Sequence, residues 1–500
     1  MRVYNGPLSE KLMELSRKII ILIYGRAFSF LLSLIIPLAL TRLLVKDDYG
    51  SYQQLVMIYA IVQAILLFGM PQSLLYYFPR KDVSARPLLI KQTWSILIIS
   101  GLAAFVLFAL TSQAMESISP DHHLQPFIFL LGIYIGIMLS VMPLQNLLIL
   151  EDKETTAMWS MIGFTLIDII VLPIAAWHNP TTLGMVHGII LTSIIKFIIV
   201  MIYIYKNYLS KIETRESYYR EQLAYGIPVG LTAMIYVINI NIDKYMVGLF
   251  FSSSVFAAYY LGSLWAPMFG WITQSASQVV TPRMSKAHKD NNLLEIQQMY
   301  ANSVEKLAFI FLPAMFLLAL IAKPLILTLF TNNYEDTVPI FSIYLLLLPT
   351  YALNLGWILM ASGQTKFLLR LAILMSTINI ILSYSFLTTL EGDNRLLGIP
   401  FATVIVTWLS TIIIMYQSLR TLKSGLSETY HWKKMMIITI VSVISAIPVI
   451  GLLSLDLENK IFLISSILIY GATFLFSSFK FKLLNNSEID LVKSFLPFKN

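Results

Sequence analysis

What most constrains this chain is the recurrence of apolar stretches as long as a bilayer is thick. A helix needs about 20 mostly apolar residues to cross the hydrocarbon layer. Such stretches lie near 19–43, 52–77, 88–111, 126–150, 156–177, 183–206, 223–248, 256–280, 304–328, 337–361, 367–388, 397–419, 434–454 and 460–478, with only short gaps between them. Charge agrees: 12% of residues are charged, about half the usual share of a soluble domain, too few to cover a water-facing surface of this size. The expectation is an all-α integral membrane protein of about 14 transmembrane helices, with no inserted soluble domain.

Lys and Arg placement sets the orientation. With the N-terminus in the cytoplasm, the segments 1–18, 78–91, 151–155, 206–222, 281–303, 362–370, 420–434 and 479–500 face inward and hold 26 of the 35 basic residues. The outward segments hold only Arg42, Lys46, Lys323, Arg395 and Lys460. Both termini are expected in the cytoplasm. The net charge of +8 then lies beside anionic headgroups, and no nucleic-acid partner is expected. The run from Ile19 to Leu40 is too long for the apolar part of a signal peptide, roughly 7–15 residues, and reads as the first span.

The absence of cysteine excludes disulfides, thiolate metal sites and cysteine nucleophiles. No phosphate loop, GxSxG or HExxH occurs. His122-His123 and the acids Glu151, Asp152 and Glu154 read as solvated loop residues, so no catalytic group, metal or cofactor is expected.

A faint repeat runs through the chain. Tyr24-Gly25, Arg42 and Pro79-Arg80 recur as Tyr225-Gly226, Lys244 and Pro282-Arg283, the Tyr and basic positions being 18 and 19 residues apart and the next Arg 38 and 39 further on. Similar halves with a site at their interface suit a transporter. Pro37, Pro71, Pro143, Pro173, Pro228, Pro267, Pro313, Pro349, Pro400 and Pro448 lie in or near spans, where each removes a helical hydrogen bond.

Arg26 is the most informative single residue. It stands about 8 residues, roughly 12 Å, inside the first span, and an intramembrane arginine usually faces a protein interior or a wet cavity. Ser29 and Ser33 follow on the same helical face. Guanidinium binds phosphate through two parallel hydrogen bonds, so this face is a candidate for an anionic headgroup; the alternative is snorkelling to the interface. Further polar stripes carry Tyr59 and Gln63 in span two, Tyr236 and Asn239 in span seven, and Gln274 and Gln278 in span eight, which suit sugar hydroxyls and faces or else interhelical hydrogen bonds. Asp168 and its possible partner Lys196, with Asp243, are candidates for ion coupling. Arg80, Arg283, Lys366 and Arg370 at inner ends are candidates for headgroup recruitment.

The stretch ALTRLLVKDDYGSYQQL (39–55) resembles the first hairpin of the polysaccharide and lipid-linked oligosaccharide flippases, members of the multidrug/oligosaccharidyl-lipid/polysaccharide exporter superfamily. YGIPVGLTA (225–233) and IDKYMVGLFFSSSVFAAYYLG (242–262) look like that family's seventh and eighth spans, and ASGQTKFLL (361–369) like its turn into the eleventh. The resemblance implies two six-helix lobes around a central cavity plus two C-terminal helices: an N-lobe over 1–206, a cytoplasmic linker over 207–222, a C-lobe over 223–420 and the trailing pair with a tail over 421–500. It implies a flippase turning undecaprenyl-pyrophosphate-linked oligosaccharide units across the bacterial cytoplasmic membrane by alternating access, with membrane lipids, a polymerase and glycosyltransferases as partners, for O-antigen, capsule or exopolysaccharide. The alternatives are a multidrug or cation antiporter of the same superfamily, which needs cavity carboxylates, and a membrane-embedded glycan polymerase or ligase, which needs a sizeable outer loop.

Overall fold

The computed structural model describes residues 21–111, 124–209, 216–264, 266–455, 457–481 and 483, without the side chains of 266–268 and 271. The His122-His123 pair, Lys211, Arg215 and the basic residues of both ends lie outside them. The described residues form helices and turns, with no strand among them. In chain order the helices are α1 (Ile21–Leu43), α2 (Lys46–Leu66), α3 (Met70–Tyr77), α4 (Arg86–Thr111), α5 (Gln125–Leu150), α6 (Glu154–His178), α7 (Thr182–Asn207), α8 (Tyr219–Asn239) and α9 (Ile242–Phe250). They continue with α10 (Ser253–Ser263), α11 (Ala266–Lys289), α12 (Leu293–Phe330), α13 (Thr337–Ala361), α14 (Thr365–Thr389), α15 (Asn394–Leu422), α16 (Trp432–Leu455) and α17 (Asn459–Lys480).

Among the described residues, 12 helices are long and apolar enough to span, and α2 with the stretch Met70–Arg80 makes a 13th, bent by 41°. The remaining predicted span, 256–280, falls on α10 and α11, either side of residue 265, which is outside the described set.

Three spans differ from the sequence expectation in form. The second breaks because Phe68 and Gly69 take positive φ of 45° and 63° and Pro71 has no N–H with which to continue the ladder; Met70 N instead closes a turn on Leu67 O at 2.8 Å. The seventh ends at Asn239 and restarts as α9. The ninth is longer than expected: α12 runs 38 residues, roughly 57 Å, so the segment 281–303, expected to face inward, is helix on both sides of a turn at Asn291. Asn292 makes that start possible. Its side-chain oxygen accepts from Glu295 N (3.2 Å) and its amide donates to Glu295 Oε2 (2.9 Å), satisfying end groups that would otherwise be orphaned.

Packing gathers the chain into two compact units, Met1–Ala257 and Ala258–Asn500. In the first, α4 lies along α5, α5 on α7, α7 on α6 and α6 on α1. A Cβ on Gly101 would stand 2.5 Å from Gly136 O, so α4 and α5 touch backbone to backbone, the usual means of close approach in lipid. Trp94 Nε1 donates to Ser140 O (2.8 Å) across the same pair. Asp48 Oδ1 accepts from Thr182 N and Oγ1 (2.7 and 2.6 Å), fixing the start of α7 to α2. α8 packs on α2 and α3. Packing thus divides the chain at 257/258, whereas the repeat divides it at 207–222, and α8 lies between the two lines.

In the second unit α14 pairs with α15, and α12 carries α13, α16 and α17. Glu305 of α12 holds His431 Nδ1 and Lys434 Nζ, each at 2.7 Å. The Tyr300 and Tyr430 hydroxyls share a hydrogen bond of 3.0 Å, and Phe309 meets Phe474 with ring centroids 5.2 Å apart.

Candidate functional site

Gly25 turns one face of α1 onto α6: a Cβ there would meet Met158 Cγ at 2.7 Å. The next residue, Arg26, is therefore exposed, and no partner for its guanidinium occurs among the described residues. Ser29, one turn on, has a buried hydroxyl with no hydrogen-bond partner. Ser33 spends its hydroxyl on Phe30 O (2.7 Å). Among the described residues, Arg26 and Ser29 are the two of this stripe with no hydrogen-bond partner for their side chains.

Asp168 and Lys196 form an ion pair between α6 and α7. Lys196 Nζ lies 2.6 and 2.7 Å from the two carboxylate oxygens, and the side chains are 8% and 26% exposed for Lys196 and Asp168. Tyr59 does not lie on an open face. It is buried, its ring 4.7 Å from that of Tyr134, and both tyrosines are within electrostatic reach of Asp168. The second-span stripe therefore leads into the ion pair, with Gln63 half-buried beyond it.

Tyr236 is 65% exposed, and Asn239 is half-buried. Asp243 is buried at the start of α9 and engaged with a neighbour. Arg80 is exposed, with its guanidinium 3.4 Å above the Tyr76 ring. In the second unit Gln274, Gln278, Arg283, Lys366 and Arg370 are all exposed. The hydroxyls beside the two glutamines are spent locally: Thr273 donates to Tyr351 O (3.0 Å) and Ser277 shares a bond with Thr281 (3.1 Å).

Sequence reasoning missed three features. Glu151 is not a solvated turn residue: its side chain is 9% exposed, accepts from the Tyr203 and Tyr208 hydroxyls and pairs with Lys153 at 2.6 Å. The hydrogen bond to Glu151, then that to Tyr203, push the Lys153 ammonium up to about 12; burial and the bond to Glu151 raise the Tyr208 hydroxyl as well. The second feature is a clamp on the approach to α8, where Gln92 accepts from Tyr218 N (2.7 Å) and donates to Glu216 O (2.9 Å), and Thr93 donates to Gln222 Oε1 (2.5 Å). The third is the stack of Tyr76 on Tyr225, centroids 4.3 Å apart. Only the last carried a signal, because Tyr225-Gly226 is half of the repeated pair.

Among the described residues no group of three or more His, Asp or Glu side chains is placed to hold a metal ion. A cavity of about 520 Å³ opens between α6 and α7 beside His178, Asn179, His187 and Leu191, and none of the candidate residues lines it.

Helices of this number and apolarity define a multi-pass membrane protein, and its fold is like that of solved flippases and transporters of the MOP superfamily. Residues 39–339 match the family profile described as "Polysaccharide biosynthesis protein", and the chain belongs to that family. Among solved structures it is similar to "Lipid II flippase MurJ, inward closed conformation", with a TM-score of 0.70, 16% identity, and coverage of 92% of this chain and 98% of that one. It is also similar to an outward-facing multidrug resistance MATE family transporter of the MOP superfamily (TM-score 0.55, 16% identity, 82% and 95% coverage). A third is a MOP superfamily transporter from Pyrococcus furiosus described as having a binding pocket of reversed polarity (TM-score 0.56, 15% identity, 82% and 96% coverage). No curated protein sequence matches the chain.

Proposed function

We propose that this chain flips polyprenyl-pyrophosphate-linked oligosaccharide repeat units across the bacterial cytoplasmic membrane by alternating access, in the assembly of O-antigen, capsule or exopolysaccharide. Arg26 carries the proposal. A guanidinium within a span costs at least about 2.5–3.5 kcal/mol on insertion scales, and such a residue usually faces a protein interior or a wet cavity. Arg26 is exposed, with the buried Ser29 hydroxyl one turn on, and an exposed guanidinium suits a pyrophosphate. Tyr236, Asn239, Gln274 and Gln278 offer rings and amides to sugars, while Arg80, Arg283, Lys366 and Arg370 gather the anionic headgroup on the basic side. Membership of the polysaccharide biosynthesis family and the likeness to a lipid II flippase support the same substrate class. Glycosyltransferases supply such a substrate and a polymerase consumes it.

Two observations weigh against the antiporter reading. Asp168 is already paired, and Asp243 is buried and engaged. For either to serve as a coupling carboxylate it would first have to surrender its partner. A polymerase or ligase would alter the covalent structure of the glycan, so mass analysis of the lipid-linked product separates it from a flippase.

Replacing Arg26 with alanine is expected to lower outer-leaflet appearance of the lipid-linked oligosaccharide about 10- to 100-fold, the worth of one charge-assisted hydrogen bond, with normal amounts of folded protein. Wild-type flipping by Arg26→Ala would remove the anion site from the proposal.

A further inference from the structure

We infer that α2–α3 and α8–α9 form a seam that stays shut through the transport cycle, so that the substrate's polyprenyl tail never lies between them, and that the part of α8 that bends is residues 231–239. The inference rests on the transport reading above.

The seam is closed at two places. Toward the basic side, Gln222, Gly226 and Gly230 stand on one face of α8 and are its buried residues. Backbones meet there. A Cβ on Gly226 would fall 2.4 Å from Phe68 O, one on Gly230 2.7 Å from Gly69 N, and one on Gly69 2.2 Å from Gly226 O. Below this seat Gln222 is fully buried and bonded to Thr93, and Gln92 grips Glu216 O and Tyr218 N. Tyr77 OH donates to Glu221 O (3.2 Å), Lys81 pairs with Glu221 (3.0 Å), and Tyr76 stacks on Tyr225. Exposed pairs of this kind hold weakly, but the buried, fully bonded amides of Gln92 and Gln222 would be costly to strip of their partners.

At the other end a Cβ on Gly50 would overlap Ser253 O at 1.7 Å, and one on Gly248 would meet Met57 Cε at 2.8 Å. Ser253 Oγ donates to Gln54 Oε1 (3.0 Å). Ile242, Asp243, Met246 and Val247 of α9 are buried. Between the two seats no residue of 231–239 is buried, and Leu231, Ile235 and Tyr236 are each about half exposed or more. Pro228 lacks the N–H that Ala224 O would accept from, so the missing helical hydrogen bond falls within the packed seat and not in this stretch. A helix fixed at both ends and unpacked in the middle bends in the middle. That stretch carries Tyr236 and Asn239.

The test uses the natural absence of cysteine. Tyr76→Cys with Tyr225→Cys is joined by a short thiol cross-linker in membranes. Flipping of lipid-linked oligosaccharide is expected to stay within about twofold of the uncross-linked protein. Loss of flipping on cross-linking, restored by cleaving the linker, overturns the shut seam. No flipping by the wild-type protein overturns instead the transport reading. Hydrogen exchange tests the seam without transport: amides of 222–230 should exchange slowly with or without lipid-linked oligosaccharide, while those of 231–239 change. Fast or substrate-sensitive exchange at 222–230 overturns the proposal.

Discussion

Asp168→Leu is expected to leave little folded protein, and Asp168→Leu with Lys196→Met is expected to recover most of it. Lys196 Nζ sits 2.6 and 2.7 Å from the two oxygens of one carboxylate, in a side-chain environment 8% exposed. Taking away the carboxylate strands an ammonium between α6 and α7. Breaking one side of a buried pair costs about 3–5 kcal/mol, whereas replacing both sides with apolar groups of similar volume is often neutral. Thermal unfolding in detergent checks both variants, and a single variant that melts with the wild type would show that the pair contributes nothing to the fold. Flipping by the double variant then separates structure from coupling. A folded double variant that flips normally makes the pair a structural bolt; one that folds and does not flip makes it part of the coupling.

Gly50→Ala is expected to be as damaging, for a steric reason. A β-carbon there would lie 1.7 Å from Ser253 O and 2.4 Å from Ser253 C. Both are backbone atoms, so no side chain can swing away. α2 and the start of α10 must part by more than 1 Å, and the buried bond between Ser253 and Gln54 goes with the contact. Overpacking costs about 1–3 kcal/mol in ordinary cores, and a clash with backbone belongs at or beyond the top of that range. Gly163→Ala is the control. Nothing lies within 4 Å of its would-be β-carbon, and the change should stabilise α6 by up to about 1 kcal/mol. Equal melting temperatures for the Gly50 and Gly163 variants would refute the contact.

Hydropathy made the helices legible because each must carry its own apolar length; the spans near 88–111, 156–177, 183–206, 367–388 and 397–419 became α4, α6, α7, α14 and α15 with ends close to those expected. What hydropathy could not show is the backbone inside a span. The break at Gly69 turns on two positive φ values and a proline, which leave the apolar average unchanged. The extension of α12 was hidden because residues 293–303 are polar, and polarity reads as loop where helix is kept by a cap such as Asn292. Among candidate residues, the partnership of Asp168 with Lys196 was legible because a lone intramembrane charge demands an opposite one. Tyr59 was not: spacing gives a face of a helix, and which neighbour that face meets depends on α5 and α6, far away in sequence.

The attachment of α16 and α17 has a mechanical meaning. Both ride on α12, held by Glu305, by the Tyr300–Tyr430 hydroxyl bond and by Phe309 against Phe474. α12 is 38 residues long and roughly twice as long as the hydrocarbon layer is thick, so a lean of a few degrees at its waist becomes about 2 Å of sweep at its tip. Any lean of α12 would therefore have to carry both membrane-embedded helices with it through the lipid.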